Sequence, residues 1–192
     1  MPLVDGARLA IEPGMRGATG AVYSGLHEFE DMAFVLHCLR PGDLFVDVGA
    51  NVGSYAILAA AGAGADVLAL EPGEVAFERL HTNVMVNDVA GRVRTIRAAV
   101  GDRVGRVRIT CDADTMNQVA EAPGLAQRPT DEVPLVTLDP VLDGQKPTVI
   151  KIDVEGYEGF VLRGAEKTLG DSSLLALVVE VKYRPPMWLH AM

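Results

Sequence analysis

The sequence has no cluster of lysine or arginine residues. It holds 17 such residues against 26 aspartates and glutamates, and its formal net charge is −9. This balance argues against a nucleic-acid-binding surface, which needs a basic stripe. The two cysteines, Cys38 and Cys111, lie in unrelated segments and indicate no disulfide framework. The four histidines show no ligand spacing with cysteines or acids, which argues against a metal site of the zinc type.

Long apolar runs are absent as well. The longest, residues 56–65, is far shorter than the roughly 20 residues that span a bilayer. The N-terminus carries no basic region followed by an apolar stretch, as a signal peptide would. These absences predict a soluble cytoplasmic protein that binds neither membrane nor nucleic acid. The length of 192 residues and the 49% apolar content predict one domain with a substantial core.

Strand patterns alternate with helix patterns along the chain. Helical spacing of apolar residues covers about 27–39, 52–61, 74–87 and 157–169. Strand-like runs cover about 44–48, 66–70, 93–99, 106–110, 133–138, 148–153 and 174–181. This alternation predicts an α/β fold of right-handed βαβ units, with a mainly parallel sheet and helices on both faces.

Three details qualify this outline. The run 133–138 is interpreted as a short edge strand, and the almost uninterrupted apolar run 174–181 predicts burial on both faces. Residues 111–131 show no period, and a loop of that length is usually functional or disordered. We expect residues 1–25 to form a loosely structured lead-in and candidate lid, residues 26–183 the main domain, and residues 184–192 a short tail.

The most informative segment is Leu44–Tyr55, which has the pattern of a strand, a tight turn and a helix. Such a turn presents backbone N–H groups to a ligand. Glu71 ends the next predicted strand, where a carboxylate can accept hydrogen bonds from both hydroxyls of a ribose. A loop acid next to Pro72 is the structural alternative for Glu71.

The turn departs from a dinucleotide-binding pattern. That fingerprint would need glycine at positions 51 and 54, where this chain has Asn51 and Ser54. Asp47 lies two residues before Gly49, where an acid would repel a pyrophosphate and suit a ligand with an ammonium or sulfonium group. The charge pattern therefore favours S-adenosylmethionine over NAD.

Several motifs together resemble the FkbM family of S-adenosylmethionine-dependent methyltransferases. The resemblance spans roughly residues 20–182, and the order and spacing of the motifs agree. The matching residues are Tyr23-x-Gly25-x-x-Glu28-Phe29-Glu30, Phe45–Gly53, Leu70–Pro72, Asn83 with Asn87, Ala99–Asp102, Val136–Asp139 and Ile150–Glu158.

The resemblance implies a Rossmann-like class I methyltransferase fold with S-adenosyl-L-methionine as cofactor. It also implies, most often, O-methylation of a small molecule or a sugar-containing metabolite. Chains of this kind usually end in a β-hairpin that residues 184–192 are too few to build, so we expect that hairpin to be missing. The run 174–181 would then be an exposed sheet edge, through which a homo-oligomer could form.

The resemblance assigns the cofactor-binding roles. Gly49, Asn51 and Gly53 would hold the methionine part, and Glu71 would bind the ribose. Asp47 would attract the amino group or, alternatively, cap the following helix. Asp102 would lie near the adenine or form a turn with its neighbour.

The candidate catalytic residues are Lys151, Asp153 and Glu155. They alternate at the end of a predicted strand, so they should share a face beside the crevice where strand order reverses. Asp153 would act as general base or orient the acceptor hydroxyl, with Lys151 and Glu155 assisting. A buried Lys–Asp pair that stabilises the strand is the structural alternative. Asn83 and Asn87, one helical turn apart, could cap or bridge to the Gly49 turn.

Three functions stay open at this point. The first is an active small-molecule O-methyltransferase, with residues 111–131 and the N-terminal segment as candidates for acceptor binding. The second is a shortened chain that binds the cofactor but is inactive. The third is an NAD-dependent oxidoreductase.

Overall fold

The computed structural model describes residues 3, 6–10, 26, 28–111, 119 and 128–181. Within these residues we number the strands and helices in chain order. The strands are Leu44–Val48 (β1), Asp66–Leu70 (β2), Val93–Ile96 (β3), Ala99–Val100 (β4), Gly105–Thr110 (β5), Thr130–Val136 (β6), Val149–Ile152 (β7) and Ala176–Val179 (β8). The helices are Phe29–Cys38 (α1), Ser54–Ile57 (α2, continued by a π-helical turn at Leu58–Gly62), Glu74–Val86 (α3), Leu138–Leu142 (α4), Glu158–Arg163 (α5) and Glu166–Leu169 (α6).

The main sheet has the strand order β3-β2-β1-β7-β8, and all of its neighbouring strands are parallel. The chain builds outward from β1 through β2 to β3, then returns to place β7 and β8 on the other side of β1. Strand order therefore reverses between β1 and β7. Ligands of open α/β sheets bind at the carboxyl ends of the strands at such a point. The predicted mainly parallel α/β fold is confirmed.

A second sheet has the order β4-β6-β5, with β4 parallel and β5 antiparallel to β6. The prediction of an edge strand at 133–138 is wrong, because β6 is the central strand of this sheet. The predicted single strand at 93–99 is also divided. Its first part, β3, pairs with β2, whereas Ala99 and Val100 pair with Leu135 and Val136 of β6.

The predicted helix at 157–169 is interrupted at Gly164. A Cβ on Gly164 would collide with the backbone carbonyl oxygen of Gly101, so at this break the chain passes too close to Gly101 for a residue with a side chain. The prediction of full burial at 174–181 is wrong, since Leu175 is 72% and Leu177 39% exposed. Among the described residues no strand pairs with the outer edge of β8.

The two faces of the main sheet pack separate apolar clusters. One face carries Phe45 and Val149 under α1, α2 and α3, and the other carries Val46 and Ile150 under α4 and α5. Leu9 is fully buried in the first cluster, so the expectation of a loose lead-in is wrong at that position. The predicted domain boundaries stay predictions, because residues 11–25 and 182–192 lie outside the described part. In that part, no helix has both the length and the apolar character that a bilayer crossing requires.

Candidate functional site

The turn after β1 makes the closest backbone approach at the point where strand order reverses. Gly49 has φ +83°, and a Cβ there would overlap the carbonyl oxygen of Asp153 after β7. The Gly49 and Ala50 N–H groups donate to the Leu70 carbonyl at 2.9 and 3.0 Å. Asn51 also adopts a left-handed conformation, with φ +51°. This turn therefore joins the ends of β1, β2 and β7.

Glu71 lies at the end of β2 and faces this turn. Its Oε2 accepts the Asn51 N–H and its Oε1 accepts the Gly73 N–H, both at 2.8 Å. Only 9% of the residue is exposed, and burial raises its pKa to about 7 although the two N–H groups lower it. Glu71 is thus held in place at the position that the sequence predicts. Each of its oxygens keeps acceptor capacity for a ligand.

A cleft enclosing about 690 Å³ opens above these residues. Its described walls come from the ends of β1 and β2, from β4, and from the segment that follows β7. The lining residues are Val48, Gly49, Asn51, Leu70, Glu71, Pro72, Ala98, Ala99, Val100, Ile109, Val119, Asp153, Val154, Glu155 and Tyr157. Gly49, Asn51, Glu71, Asp153 and Glu155 are therefore brought together, while Asp47, Gly53, Lys151 and Asp102 do not line the cleft.

Asp47 and Lys151 lie behind the turn, on the sheet face that α1 and α2 cover. They are opposite each other in the β1–β7 register and are 1% and 5% exposed. Burial raises the pKa of Asp47 to about 6, and the Lys151 charge offsets only part of this rise. Neither carboxylate oxygen of Asp47 has a partner in hydrogen-bond geometry within the described ranges.

Lys151 connects this buried region to the cleft. Its Nζ lies 3.0 Å from Asp153 Oδ2 and 4.6 Å from the centre of the Tyr55 ring. Burial opposes the ammonium charge, but Asp47 and Asp153 outweigh it and keep the pKa of Lys151 above its ordinary value. The Tyr55 hydroxyl donates to Glu28 Oε2 at 2.5 Å. Asp153 is therefore shared by the cleft and by a buried charge cluster.

The structure adds three residues to the site to which the sequence had assigned no role. Glu28 and Tyr55 surround Lys151, and Glu180 follows β8 beside Asp153. The sequence could have indicated Glu180, because it is an acid that directly follows the last predicted parallel strand. Glu155 departs from the predicted common face, because β7 ends at Ile152 and Glu155 adopts φ +56° in the following turn.

Asp102 lies two residues after β4 and is not among the residues that line the cleft. Its Oδ2 accepts the Arg163 Nε–H at 3.3 Å, and Arg103 lies 3.5 Å from Oδ1. Asn83, in contrast, confirms its predicted bridge to the glycine turn. Its Nδ2 donates to the Val52 carbonyl at 2.8 Å. In the described ranges, no group of three or more acid, histidine or cysteine side chains is arranged to hold a metal ion.

Proteins with this fold have many different functions, so the fold alone does not identify the family. The comparison with protein families does. The model described as "Methyltransferase FkbM domain" matches residues 47–191. This chain belongs to the FkbM methyltransferase family. The resemblance seen in the sequence is thereby confirmed, and the matched region contains the glycine turn, Glu71 and the end of β7.

Two known proteins are similar in sequence to this chain. The 31-O-demethyl-FK506 methyltransferase FkbM of Streptomyces tacrolimicus is 38% identical over 103 residues, covering 52% of this chain and 39% of that protein. The hexuronic acid methyltransferase AglP of Haloferax volcanii is 29% identical over 142 residues, covering 72% of this chain and 56% of that protein. The chain thus spans about half the length of these relatives, or less.

Solved structures agree with the FkbM assignment at the level of the fold. Methyltransferases from Thiobacillus denitrificans and Geobacter sulfurreducens, both in complex with S-adenosyl-L-homocysteine, each align with a TM-score of 0.50. Their sequence identities are 14% and 15%, and each alignment covers 84% of this chain and 53% of the other. These similarities show the Rossmann-like methyltransferase fold.

Proposed function

We propose that the chain binds S-adenosyl-L-methionine in the cleft and methylates a hydroxyl oxygen of a small-molecule or sugar-containing acceptor. The position of Glu71 carries this proposal. Its carboxylate is held by two backbone N–H groups at the end of β2, inside the cleft and beside the glycine turn. That is where a ribose with two free hydroxyls would find its acceptor.

The donor set fits this cofactor better than NAD. Glu71, Asp153 and Glu155 all line the cleft, so it favours a cation and opposes the two negative charges of a pyrophosphate. The buried Oδ1 of Asn51 also has no hydrogen-bond partner in the described residues, which leaves an acceptor for an ammonium group. When bound, S-adenosyl-L-methionine supplies a methyl group that its positive sulfur has already activated.

The residues of the chain then have to align the acceptor, exclude water and take up a proton. Asp153 lines the cleft and its carboxylate is oriented by the Lys151 ammonium at 3.0 Å. It is therefore suited to receive the acceptor's hydroxyl proton, a role worth roughly 10²- to 10⁴-fold in rate. Apolar side chains such as Val154 and Ile109 keep part of the wall dry. Loop 111–131, assigned to acceptor binding, lies mostly outside the described residues.

The names of the two relatives support an oxygen-rich acceptor. One is named for a 31-O-demethyl substrate and the other for a hexuronic acid. A chain that binds the cofactor but turns over no acceptor is the second candidate. Its support is the exposure of the apolar residues that flank β8, because Leu175 is 72% and Val181 73% exposed and both could contact another chain.

The same edge supports a proposed self-association through residues 174–181, since proteins usually protect an exposed strand of this kind. A cytoplasmic location is likewise a proposal. Its support is that both cysteines, Cys38 and Cys111, are free, as is usual in a reducing compartment.

Calorimetry with S-adenosylhomocysteine and with NAD tests the cofactor. We expect S-adenosylhomocysteine to bind and NAD not to bind. Replacing Glu71 with Ala should weaken binding about 10- to 100-fold, as expected for the loss of hydrogen bonds to a charged group. Glu78→Ala, at an exposed position of α3, serves as the matched control and should bind normally.

Binding of NAD instead, or equal affinities of the Glu71→Ala and Glu78→Ala variants, would contradict the cofactor assignment. Transfer of labelled methyl groups from S-adenosyl-L-methionine to a panel of hydroxyl acceptors then distinguishes an active enzyme from an inactive cofactor-binding chain.

A further inference from the structure

The register of β7 and β8 places two acids side by side. Ile152 is opposite Val179, and the Glu180 N–H donates to the Ile152 carbonyl at 3.0 Å. The next residues on the two strands, Asp153 and Glu180, are therefore neighbours, about 4.8 Å apart along the hydrogen-bonding direction. Residues in register on parallel strands project to the same face, so the two side chains are neighbours on one face at the end of the sheet.

Buried charges lie directly behind this pair. Lys151 Nζ contacts Asp153 Oδ2 at 3.0 Å from the same face, and the buried Asp47 lies opposite Lys151 with both oxygens lacking partners in the described ranges. Glu28, held by the Tyr55 hydroxyl, adds a further negative charge. Four carboxyl groups thus surround one ammonium group.

The surroundings of Glu180 raise the pKa of its carboxyl group. Although Glu180 is exposed to solvent, partial loss of hydration at its carboxyl group, the neighbouring Asp153 charge and the Glu28 charge raise its pKa, and Lys151 opposes the rise. Because two adjacent carboxylates repel each other, a proton that enters between them is held more tightly than by either alone. Strand register alone already brings the two groups together, and the direction of this shift agrees with it.

We propose that Glu180 is a positioning residue that forms a proton-sharing pair with Asp153, so that the pair rather than Asp153 alone takes up the acceptor's proton. This inference rests on the proposed methyl transfer. In that step the acceptor oxygen bonds to the methyl carbon while the carbon–sulfur bond breaks and sulfur keeps the electron pair. The acceptor's O–H bond breaks as well, and its proton ends shared between Asp153 and Glu180, which balances charge and atoms.

The sharing itself can be tested without any ligand. In the full chain, ¹³C NMR titration of side-chain carboxyl groups should show Glu180 losing its proton at a higher pH than the exposed Glu78. In Asp153→Asn the Glu180 titration should move to lower pH, because the neighbouring negative charge is gone while the side chain keeps its shape. A Glu180 titration that is the same in wild type and Asp153→Asn overturns the proposal.

Turnover provides the second measurement. Glu180→Gln should shift the acid limb of the kcat/KM pH profile to lower pH by about one unit, a tenfold change in proton affinity. Glu180→Asp should restore part of the shift, and affinity for S-adenosylhomocysteine should stay unchanged. A lower rate with an unshifted acid limb would show a purely structural role and refute the pair.

The two proposals fail separately. If wild type binds no S-adenosylhomocysteine and turns over no acceptor, the methyltransferase function falls, whereas the ligand-free titration still decides whether the pair exists.

Discussion

At the scale of single residues, Gly49 meets two requirements at once. Its φ of +83° is disfavoured for other residues, and the space where a Cβ would stand is occupied by the Asp153 carbonyl oxygen. The glycine thus lets the turn after β1 contact the segment that carries the proposed base.

We therefore expect Gly49→Ala to destabilise the chain by more than about 2 kcal/mol, since backbone strain and a clash add. Gly144→Ala is the matched control. Gly144 has a similar φ of +81°, but no atom lies within 4 Å of the place where its Cβ would stand, so this variant should show the strain cost alone. Urea unfolding of both variants measures the difference, and equal losses would show that the contact with Asp153 is unimportant.

At the scale of elements, α3 connects the glycine turn to the N-terminal segment. The buried Asn83 donates to the Val52 carbonyl at 2.8 Å and accepts the Ala10 N–H at 2.6 Å. One turn later, Asn87 accepts the Arg8 N–H and donates to the Arg8 carbonyl, both at 2.7 Å. Asn83 and Asn87 therefore fasten residues 8–10 to α3, and Asn83 also fastens α3 to the glycine turn.

Removing Asn83 should be costly, because Asn83→Ala leaves a buried carbonyl and a partly buried N–H without partners. We expect a loss of about 2–4 kcal/mol in the free energy of unfolding, together with faster proteolysis near residue 10. Asn87→Ala makes a comparison on the same helix face. Its groups are closer to solvent, so its loss should stay below about 1 kcal/mol, and equal losses would contradict the assigned bridge.

At the scale of the whole molecule, two buried carboxyl groups, one in the cleft and one behind it, make the folded chain less stable as the pH rises. Burial raises the pKa of Glu71 from 4.5 to about 7 and that of Asp47 from 3.8 to about 6. The folded chain therefore keeps these protons to a higher pH than the unfolded chain does. Rising pH then favours unfolding across this window, and stability from this source is greatest below about pH 4.

We expect the free energy of unfolding without ligand to fall between about pH 4 and pH 7, and Glu71→Gln to remove about 2 kcal/mol of that fall. Any destabilisation by the glutamine amide that does not depend on pH would lower the whole curve of unfolding free energy against pH without changing its slope. Urea unfolding at several pH values measures it, with Glu78→Gln as control. Parallel curves for wild type and Glu71→Gln would contradict the assigned cause.

The chain by itself determined what depends on local pattern. The bounds of β1 and β2, the glycine turn and the place of Glu71 follow from alternation, glycine positions and spacing along one βα unit. Such features involve residues close in sequence, where backbone geometry leaves few choices. The predicted Lys151–Asp153 proximity also follows from strand periodicity.

Only the tertiary structure decided contacts between distant segments. The central place of β6, the division of the predicted strand at 93–99 and the pairing of Asp153 with Glu180 depend on which strands are neighbours and in which register. A shift of one residue in that register would send Glu180 to the opposite face, so the sequence pattern could not specify the pair. Asp47 lies behind the turn rather than in the cleft, and this too depends on tertiary structure. The packing of the whole sheet determines which helices cover each of its faces.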